Sequence, residues 1–131
     1  MSHPQNLLVI ILDINSFAWE NRNNLDVDFR HVVQSVIIFI NAHFLLHRHN
    51  ELCLIAMSSD SSTILSIGGR NAVSSRTNRS FNEIILDKIE AEYHKNRETS
   101  LTHKRNYCVL AKALSQAMCG SNYYLYCVMK I

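Results

Sequence analysis

The stretch Leu7-Leu8-Val9-Ile10-Ile11-Leu12-Asp13-Ile14-Asn15 decides the fold, because it is an unbroken apolar run that ends at a carboxylate and an amide. A short run that is apolar at every position is typical of a strand buried on both faces, and such strands belong to parallel sheets covered by helices on each side. Open parallel sheets bind ligands just beyond the carboxyl ends of their strands, where Asp13 and Asn15 fall. The sequence therefore predicts a doubly wound α/β domain with a candidate site at this strand end.

Composition and charge limit the class of protein. The chain has 131 residues, of which 47% are hydrophobic and 18% charged, as expected for one soluble globular domain. A net charge of +2 is too small to indicate nucleic-acid binding by itself. The four cysteines (Cys53, Cys108, Cys119 and Cys127) form no CxxC pair, so we expect reduced thiols in an intracellular protein.

Neither apolar run is expected to act as a targeting or membrane segment. The first is too short to cross a bilayer and lacks a basic flank. The second, within 32–46, is interrupted by Gln34, Ser35, Asn41 and His43, which favours a buried amphipathic helix.

The remaining elements follow from periodicity and turn signals. A long helix is predicted from a cap at Asp26 or Asp28 to about His47, followed by a buried strand over 52–57. A third strand over 63–67 follows a link too short for a crossover helix, which predicts an antiparallel hairpin. Ser80 and Glu83 have capping-box spacing and predict a helix from Phe81. A third helix over 109–118 and a fourth strand over 123–131 complete the order β-α-β-β-α-α-β.

That order, together with Asp13-x-Asn15, resembles the first half of a von Willebrand factor A (vWA) domain. The resemblance becomes specific in Asn41-Ala42-His43-Phe44-Leu45-Leu46-His47-Arg48-His49-Asn50-Glu51-Leu52-Cys53-Leu54-Ile55-Ala56. This segment is similar to the pattern N-x-H-x-x-x-x-R-x-N-x-L-x-x-I-A of the subunit 3 family of general transcription factor IIH (TFIIH). Its family-motif positions here are Asn41, His43, Arg48 and Asn50. Trp19 and the run Leu110-Ala111-Lys112-Ala113-Leu114 resemble flanking parts of the same family.

The resemblance implies a nuclear, non-enzymatic scaffold of the TFIIH core, acting in transcription initiation and nucleotide-excision repair. Its expected partners are the larger zinc-bearing vWA subunit and other core subunits, with no direct nucleic-acid contact and no membrane. Residues 1–131 would be the amino-terminal part of the vWA-like domain. The family's carboxyl-terminal zinc module would be absent, leaving no cofactor in this chain. Another intracellular vWA protein, such as a proteasomal ubiquitin receptor, is the alternative of the same kind.

Asp13 is a candidate metal ligand and a candidate catalytic group. A vWA metal-dependent adhesion site uses Asp-x-Ser-x-Ser, because a hard cation needs several oxygen ligands. Here Phe17 replaces the last serine, and Thr102 is the remaining match, so the site is degenerate at Asp13, Asn15 and Thr102. The favoured role of Asp13 and Asn15 is to cap local backbone groups.

A metal-dependent phosphatase or nuclease that uses Asp13 is the alternative from a different class. It would need converging carboxylates, and Asp60 is the one other candidate at this sheet end.

Two further segments carry residues that could bind a ligand. His43 and His47 have zinc-ligand spacing, with His49 close by, but no cysteine pair completes a tetrahedral site. We expect His43 to pack partly against the core and the other two histidines to bond carbonyls at the helix end. The loop from Arg70 to Ser80 lacks the ending of a phosphate-binding P-loop and is predicted to be a solvated loop.

The fourth strand would end the sheet at Ile131, which would leave an apolar edge exposed. We therefore expect either a partner that completes the sheet or an isolated chain of marginal stability.

Overall fold

The computed structural model describes residues 6–15, 28–58, 61–71, 78–99, 111–115 and 126–130. The strands are β1 (Leu7–Asp13), β2 (Glu51–Met57), β3 (Ser62–Gly68) and β4 (Tyr126–Lys130). The helices are α1 (Phe29–Leu46) and α2 (Phe81–Thr99), and residues 111–115 are helical. The predicted order of elements is therefore confirmed in the described parts of the chain. The predicted third helix and fourth strand lie partly outside the described residues.

The four strands form one sheet in the order β3-β2-β1-β4. β1 is parallel to both β2 and β4, and β2 is antiparallel to β3, which confirms the predicted hairpin. The central position of β1 explains why its sequence does not alternate between apolar and polar residues. Parallel pairing of β1 with β2 requires a crossover, and α1 provides it.

The two faces of the sheet have separate cores. Even-numbered residues of β1, such as Ile10 and Leu12, are buried with the inner sides of α1 and α2. Odd-numbered residues, such as Val9 and Ile11, form a second cluster that includes Ala113 of the short helical segment. Helices therefore flank both faces, as predicted for a doubly wound domain.

Aromatic pairs join α1 and α2 near both ends of α1. Phe29 stacks on Tyr93 with ring centroids 4.3 Å apart, and Phe44 meets Phe81 edge-on at 5.3 Å. Such pairs add packing energy beyond the area they bury. They hold the two helices side by side on the same face of the sheet.

An irregularity in the hairpin changes which side chains of β3 are buried. Ile55 pairs with Ile64 but Leu54 pairs with Ser66, so Leu65 is an extra residue in β3. Leu65 and Ser66 are both buried, whereas Ile64 and Ile67 are exposed. Lys88 of α2 donates a hydrogen bond to the Leu65 carbonyl at 3.1 Å. The bulge is thereby tied to the helix that covers it.

Polar side chains at the helix starts match the predicted caps. Asp28 caps α1 by accepting a hydrogen bond from the backbone N–H of Arg30. At α2, Glu83 accepts from the Ser80 N–H at 3.1 Å, and Ser80 Oγ accepts from the Glu83 N–H at 3.3 Å. This reciprocal pair is the predicted capping box, and it satisfies two N–H groups that the helix leaves unpaired.

The long helix is less buried than the sequence suggested. By length and composition alone, α1 is the one helix among the described residues that could cross a membrane. In the fold it packs one side on the sheet through Val33, Val36, Ile40 and Phe44. The opposite side carries large exposed apolar residues, namely Ile38, Phe39, Leu45 and Leu46. The prediction of a buried amphipathic helix therefore holds for one side of α1 only.

Two isoleucine-to-alanine substitutions test where the core lies. Ile10 is fully buried at the centre of the sheet, so Ile10→Ala should lower the free energy of unfolding by about 2–5 kcal/mol. Ile38→Ala removes the same atoms from an exposed position and should change it by less than about 0.5 kcal/mol. Urea unfolding of both variants measures the difference, and equal losses would contradict the two-sided burial of β1.

Candidate functional site

The candidate site at the end of β1 begins with Asp13. Its Oδ1 accepts a hydrogen bond from the backbone N–H of Asn15 at 2.9 Å. This contact is an Asx-turn, in which a side chain replaces a backbone acceptor. The backbone N–H of Ile14 donates to the Met57 carbonyl at 2.8 Å. The expected capping role is thus confirmed for Asp13. Phe17, Trp19, Asp60 and Thr102 lie outside the described residues.

A small cavity of about 170 Å³ lies at the carboxyl ends of β1 and β2. Two apolar residues line it, Ile14 just after β1 and Ala56 of β2. The rest of the lining is polar and comes from the hairpin and from α2, namely Ser58, Ser61, Thr63, Glu92, Lys95 and Asn96. Asp13 is not part of this lining. Of the described residues, Glu92 is the one carboxylate that reaches the cavity, so the converging carboxylates of metal-assisted hydrolysis are not found there.

Much of the polar lining is engaged within the protein. Asn96 is buried, and its Nδ2 donates to the Ile14 carbonyl at 3.0 Å. Ser58 Oγ lies 2.9 Å from Ser61 Oγ, and the Ser58 N–H donates to the Ser61 carbonyl at 2.8 Å. These bonds close the hairpin turn and fasten α2 to the end of β1.

Asn96 was missed by the sequence analysis, although a signal was present. It follows Ile89 by seven residues, so it lies on the buried stripe of α2. A polar residue at a core-facing position indicates a buried backbone group that needs a partner. Here that group is the carbonyl of Ile14.

Two of the four family-motif positions join the end of α1 to the start of β2. Asn50 is only 1% exposed, and its Nδ2 donates to the His43 carbonyl at 2.7 Å. Its backbone N–H donates to the His47 carbonyl at 3.0 Å. The His43 ring donates from Nε2 to the Glu51 carbonyl at 2.9 Å. Because helix ends leave carbonyls unpaired, these bonds satisfy groups that the corner would otherwise bury alone.

The other two motif positions make different contacts. Asn41 donates to the Ile37 carbonyl at 3.0 Å and to Asn82 Oδ1 at 2.8 Å, which connects α1 to the first turn of α2. Arg48 donates from Nε to His49 Nε2 at 2.8 Å. The motif residues therefore act on the architecture of the α1–β2 corner and on helix pairing.

The histidines of this corner do not assemble a metal site. His47 Nδ1 accepts from the His49 N–H at 3.2 Å, and His49 Nε2 accepts from Arg48. In these contacts both rings accept hydrogen bonds, and the predicted bonds from their other nitrogens to helix carbonyls stay a prediction. Among the described residues, no three His, Cys, Asp or Glu side chains are placed to hold a metal ion. The donor set in this part of the chain does not fit zinc.

Cys53 is a free, buried thiol in the centre of β2. Burial raises the pKa of this thiol, because a thiolate would lose its hydration. The neutral form is inert toward electrophiles and metals. This agrees with the expected reduced cysteine, whereas Cys108 and Cys119 lie outside the described residues.

The arginine-bearing loop is described at its two ends only. Arg79 forms an ion pair with Asp87 of α2, and both side chains are about half exposed. Arg70 and Asn71 are helical after β3. Arg76 lies outside the described residues. An exposed ion pair of this kind contributes little to stability.

The fold and these contacts define a class, namely an α/β domain of vWA type in which the characteristic motif residues hold the fold together. The family model for transcription factor Tfb4 matches residues 5–128. The chain therefore belongs to the Tfb4 family of TFIIH subunits.

Among solved structures, the crystal structure of the TFIIH p34 N-terminal domain is similar to this chain, with a TM-score of 0.58 and 16% sequence identity. The match covers 97% of this chain and 66% of the other. At this identity the similarity bears on the fold, and it agrees with the predicted vWA-like architecture. This sequence thus spans just under two thirds of the structure that it resembles. The comparison with curated proteins found no significant match.

Substitutions at Asn50 test the architectural role of the motif. Asn50→Ala should lower the free energy of unfolding by about 1–3 kcal/mol, because the partly buried His43 carbonyl loses its donor. His49→Ala, at an exposed position of the same corner, is the control and should have little effect. Equal losses in urea unfolding would contradict the role of Asn50.

Asn50→Asp adds a pH-dependent test at the same position. A carboxylate cannot donate to the His43 carbonyl, so the loss at pH 7 should exceed that of Asn50→Ala. Burial would raise the pKa of the new carboxyl above its value in the unfolded chain, so the loss should shrink as the pH falls toward 4. Urea unfolding between pH 4 and pH 7 measures this trend, and a loss independent of pH would contradict it.

Cys53 offers a test of burial that needs no substitution. At pH 8 the native chain should leave Cys53 unmodified by iodoacetamide, whereas the urea-unfolded chain should be alkylated there. Peptide mass mapping reports the extent of modification.

Because the folded pKa of Cys53 is raised, the contribution of this thiol to stability is present below its unfolded pKa and is lost as the pH rises through the folded value.

Proposed function

We propose that this chain is a non-catalytic scaffold subunit of the TFIIH core complex. In this proposal it acts in transcription initiation by RNA polymerase II and in nucleotide-excision repair, through protein–protein contacts in the nucleus. The observation that carries the proposal is the family match over residues 5–128, a range that includes all the strands and helices of the described fold except the last two residues of β4.

The contacts of the motif residues support a scaffold role. The side chains of Asn41, His43 and Asn50 form hydrogen bonds at the end of α1 and between α1 and α2. Asp13, the residue that an enzyme of this fold would use, is held in an Asx-turn. Residues with these roles maintain a rigid shape, and a rigid shape is what an interaction scaffold requires.

The proposed partners are the larger zinc-bearing vWA subunit and other subunits of the TFIIH core. In this proposal residues 1–131 supply the amino-terminal part of the vWA-like domain, and zinc belongs to a carboxyl-terminal module of the family outside this sequence. No direct contact with nucleic acid is proposed. The family match favours this assignment over a proteasomal ubiquitin receptor of vWA type.

Co-expression of the chain with the larger vWA subunit, followed by affinity purification and gel filtration, tests the proposal. We expect co-elution at a defined stoichiometry. Elution of a soluble, folded chain apart from that subunit would contradict the proposal.

Asp13→Asn separates the scaffold from the alternative hydrolase. Asparagine keeps an oxygen that can accept the Asn15 N–H, so the turn and the co-elution should persist. A phosphatase that uses Asp13 would lose its carboxylate. Magnesium-dependent hydrolysis of p-nitrophenyl phosphate by the original chain that disappeared in Asp13→Asn would favour the enzyme.

A further inference from the structure

The outward side of α1 carries a continuous apolar surface, which we name the outer stripe. It consists of Ile38, Phe39, Ala42, Leu45 and Leu46 and extends over two turns of the helix. Leu45 and Leu46 are 79% and 82% exposed, Ile38 is 70% exposed and Phe39 is 44% exposed. The other side of the same helix is buried against the sheet, so α1 is apolar on both sides.

A helix that is apolar on both sides is expected where both sides become covered. The outer stripe holds four of the seven large hydrophobic residues that are exposed in the described part of the chain. The other three are Ile64, Ile67 and Leu114, which lie on β3 and in the short helical segment. Exposed apolar surface is therefore concentrated on α1, and concentration of this kind marks an interaction surface.

The charges around the outer stripe limit what could cover it. α1 contains no Asp or Glu, and Arg48 follows the stripe by two residues. Arg48 uses Nε for His49, and its two terminal nitrogens have no acceptor in the part of the chain that the structure describes. A matching surface should therefore carry an apolar centre and a carboxylate beside it, because Arg binds carboxylates with both terminal nitrogens.

The α1 helix of a second copy does not supply that carboxylate. In a two-fold interface formed by α1 alone, the same helix would have to provide both the base and the acid. In an antiparallel pairing centred on Ala42, Arg48 would lie opposite the turn that contains Gln34 and Ser35, which carries no acid. Asp28, at the far end, is engaged by the cap of α1 and lies 4.0 Å from His31.

A lipid surface is also a poor match. Helices that lie on membranes carry Lys and Arg along their polar flanks. Along the outer stripe the neighbouring residues are uncharged, such as Gln34, Ser35 and Asn41, and the basic residues Arg30 and Arg48 lie beyond its two ends.

We propose that the outer stripe of α1, with Arg48, is the surface through which this chain docks on a different protein subunit. The occupant presents apolar side chains to Ile38, Leu45 and Leu46 and a carboxylate to Arg48. This inference rests on the proposed function and adds to it the face of the domain that makes the contact.

The test compares four variants with the unaltered chain in the co-expression assay. Ile38→Glu and Leu45→Glu place a carboxylate inside the stripe, and Arg48→Glu reverses the charge beside it. Gln34→Glu adds the same charge at an exposed position of the same helix, outside the stripe. The three positions on α1 are exposed, so circular dichroism and melting temperature of those variants should match those of the unaltered chain. Arg48→Glu also removes the hydrogen bond to His49, so its melting temperature is measured before its binding is compared.

We expect Ile38→Glu and Leu45→Glu to weaken binding to the partner at least tenfold, Arg48→Glu severalfold, and Gln34→Glu less than twofold. Binding that persists in the three stripe variants would overturn the docking surface but leave the proposed function standing. Failure of the unaltered chain to bind would overturn both. Flotation of the unaltered chain with anionic phosphatidylserine vesicles would also overturn the docking surface if Leu45→Glu abolished that flotation. Self-association of the unaltered chain in light scattering would overturn it in the same way if Leu45→Glu abolished the self-association.

Discussion

The constraint on which the fold depends is the burial of β1 on both faces. Every residue from Leu7 to Leu12 is at most 4% exposed, so each side chain needs a partner on one face or the other. The even-numbered side chains are covered by α1 and α2, and the odd-numbered ones share a cluster with Ala113. A strand of this kind needs neighbours on both edges, and β2 and β4 pair with it in parallel. The crossover helix and the corner that follows it are consequences of this parallel pairing.

The corner between α1 and β2 shows how a polar motif can serve an apolar core. Only four residues separate the end of α1 from the start of the buried strand β2. Carbonyl groups at the end of α1 therefore lie close to the core and need hydrogen-bond donors. Asn50 resolves this by donating to the His43 carbonyl from an almost fully buried position. Its own Oδ1 has no partner among the described residues, so the amide stabilises the corner at some cost. The contacts of Asn50 therefore give this family-motif position an architectural role.

The sequence predicted what depends on periodicity and on local pairs of residues. The buried strands, the hairpin, the Asp28 cap and the Ser80–Glu83 box were confirmed because each follows from residues a few positions apart. The bulge at Leu65 could not be predicted, because it depends on the register of two strands and on Lys88, which lies 23 residues further along the chain. The contact of Asn96 with Ile14 spans 82 residues and is equally invisible to local patterns. The family assignment came from the motif, whereas the roles of the motif residues required the structure.

The exposure of the outer stripe was the least predictable feature, since the same spacing of apolar residues fits a helix covered on one side or on both. The distinction has an energetic consequence. Because Val36 and Ile40 hold one side of α1 on the sheet, a partner that covers Ile38 and Leu45 binds the same helix that completes the core. Binding to the native state alone raises the free energy of unfolding by RT ln(1 + [L]/Kd), which is about 2.7 kcal/mol when the partner is at one hundred times its dissociation constant. The isolated chain exposes this apolar surface to water, whereas the chain in a complex would bury it. The stability of this domain is therefore expected to depend on assembly, and docking and folding are coupled through the two sides of a single helix.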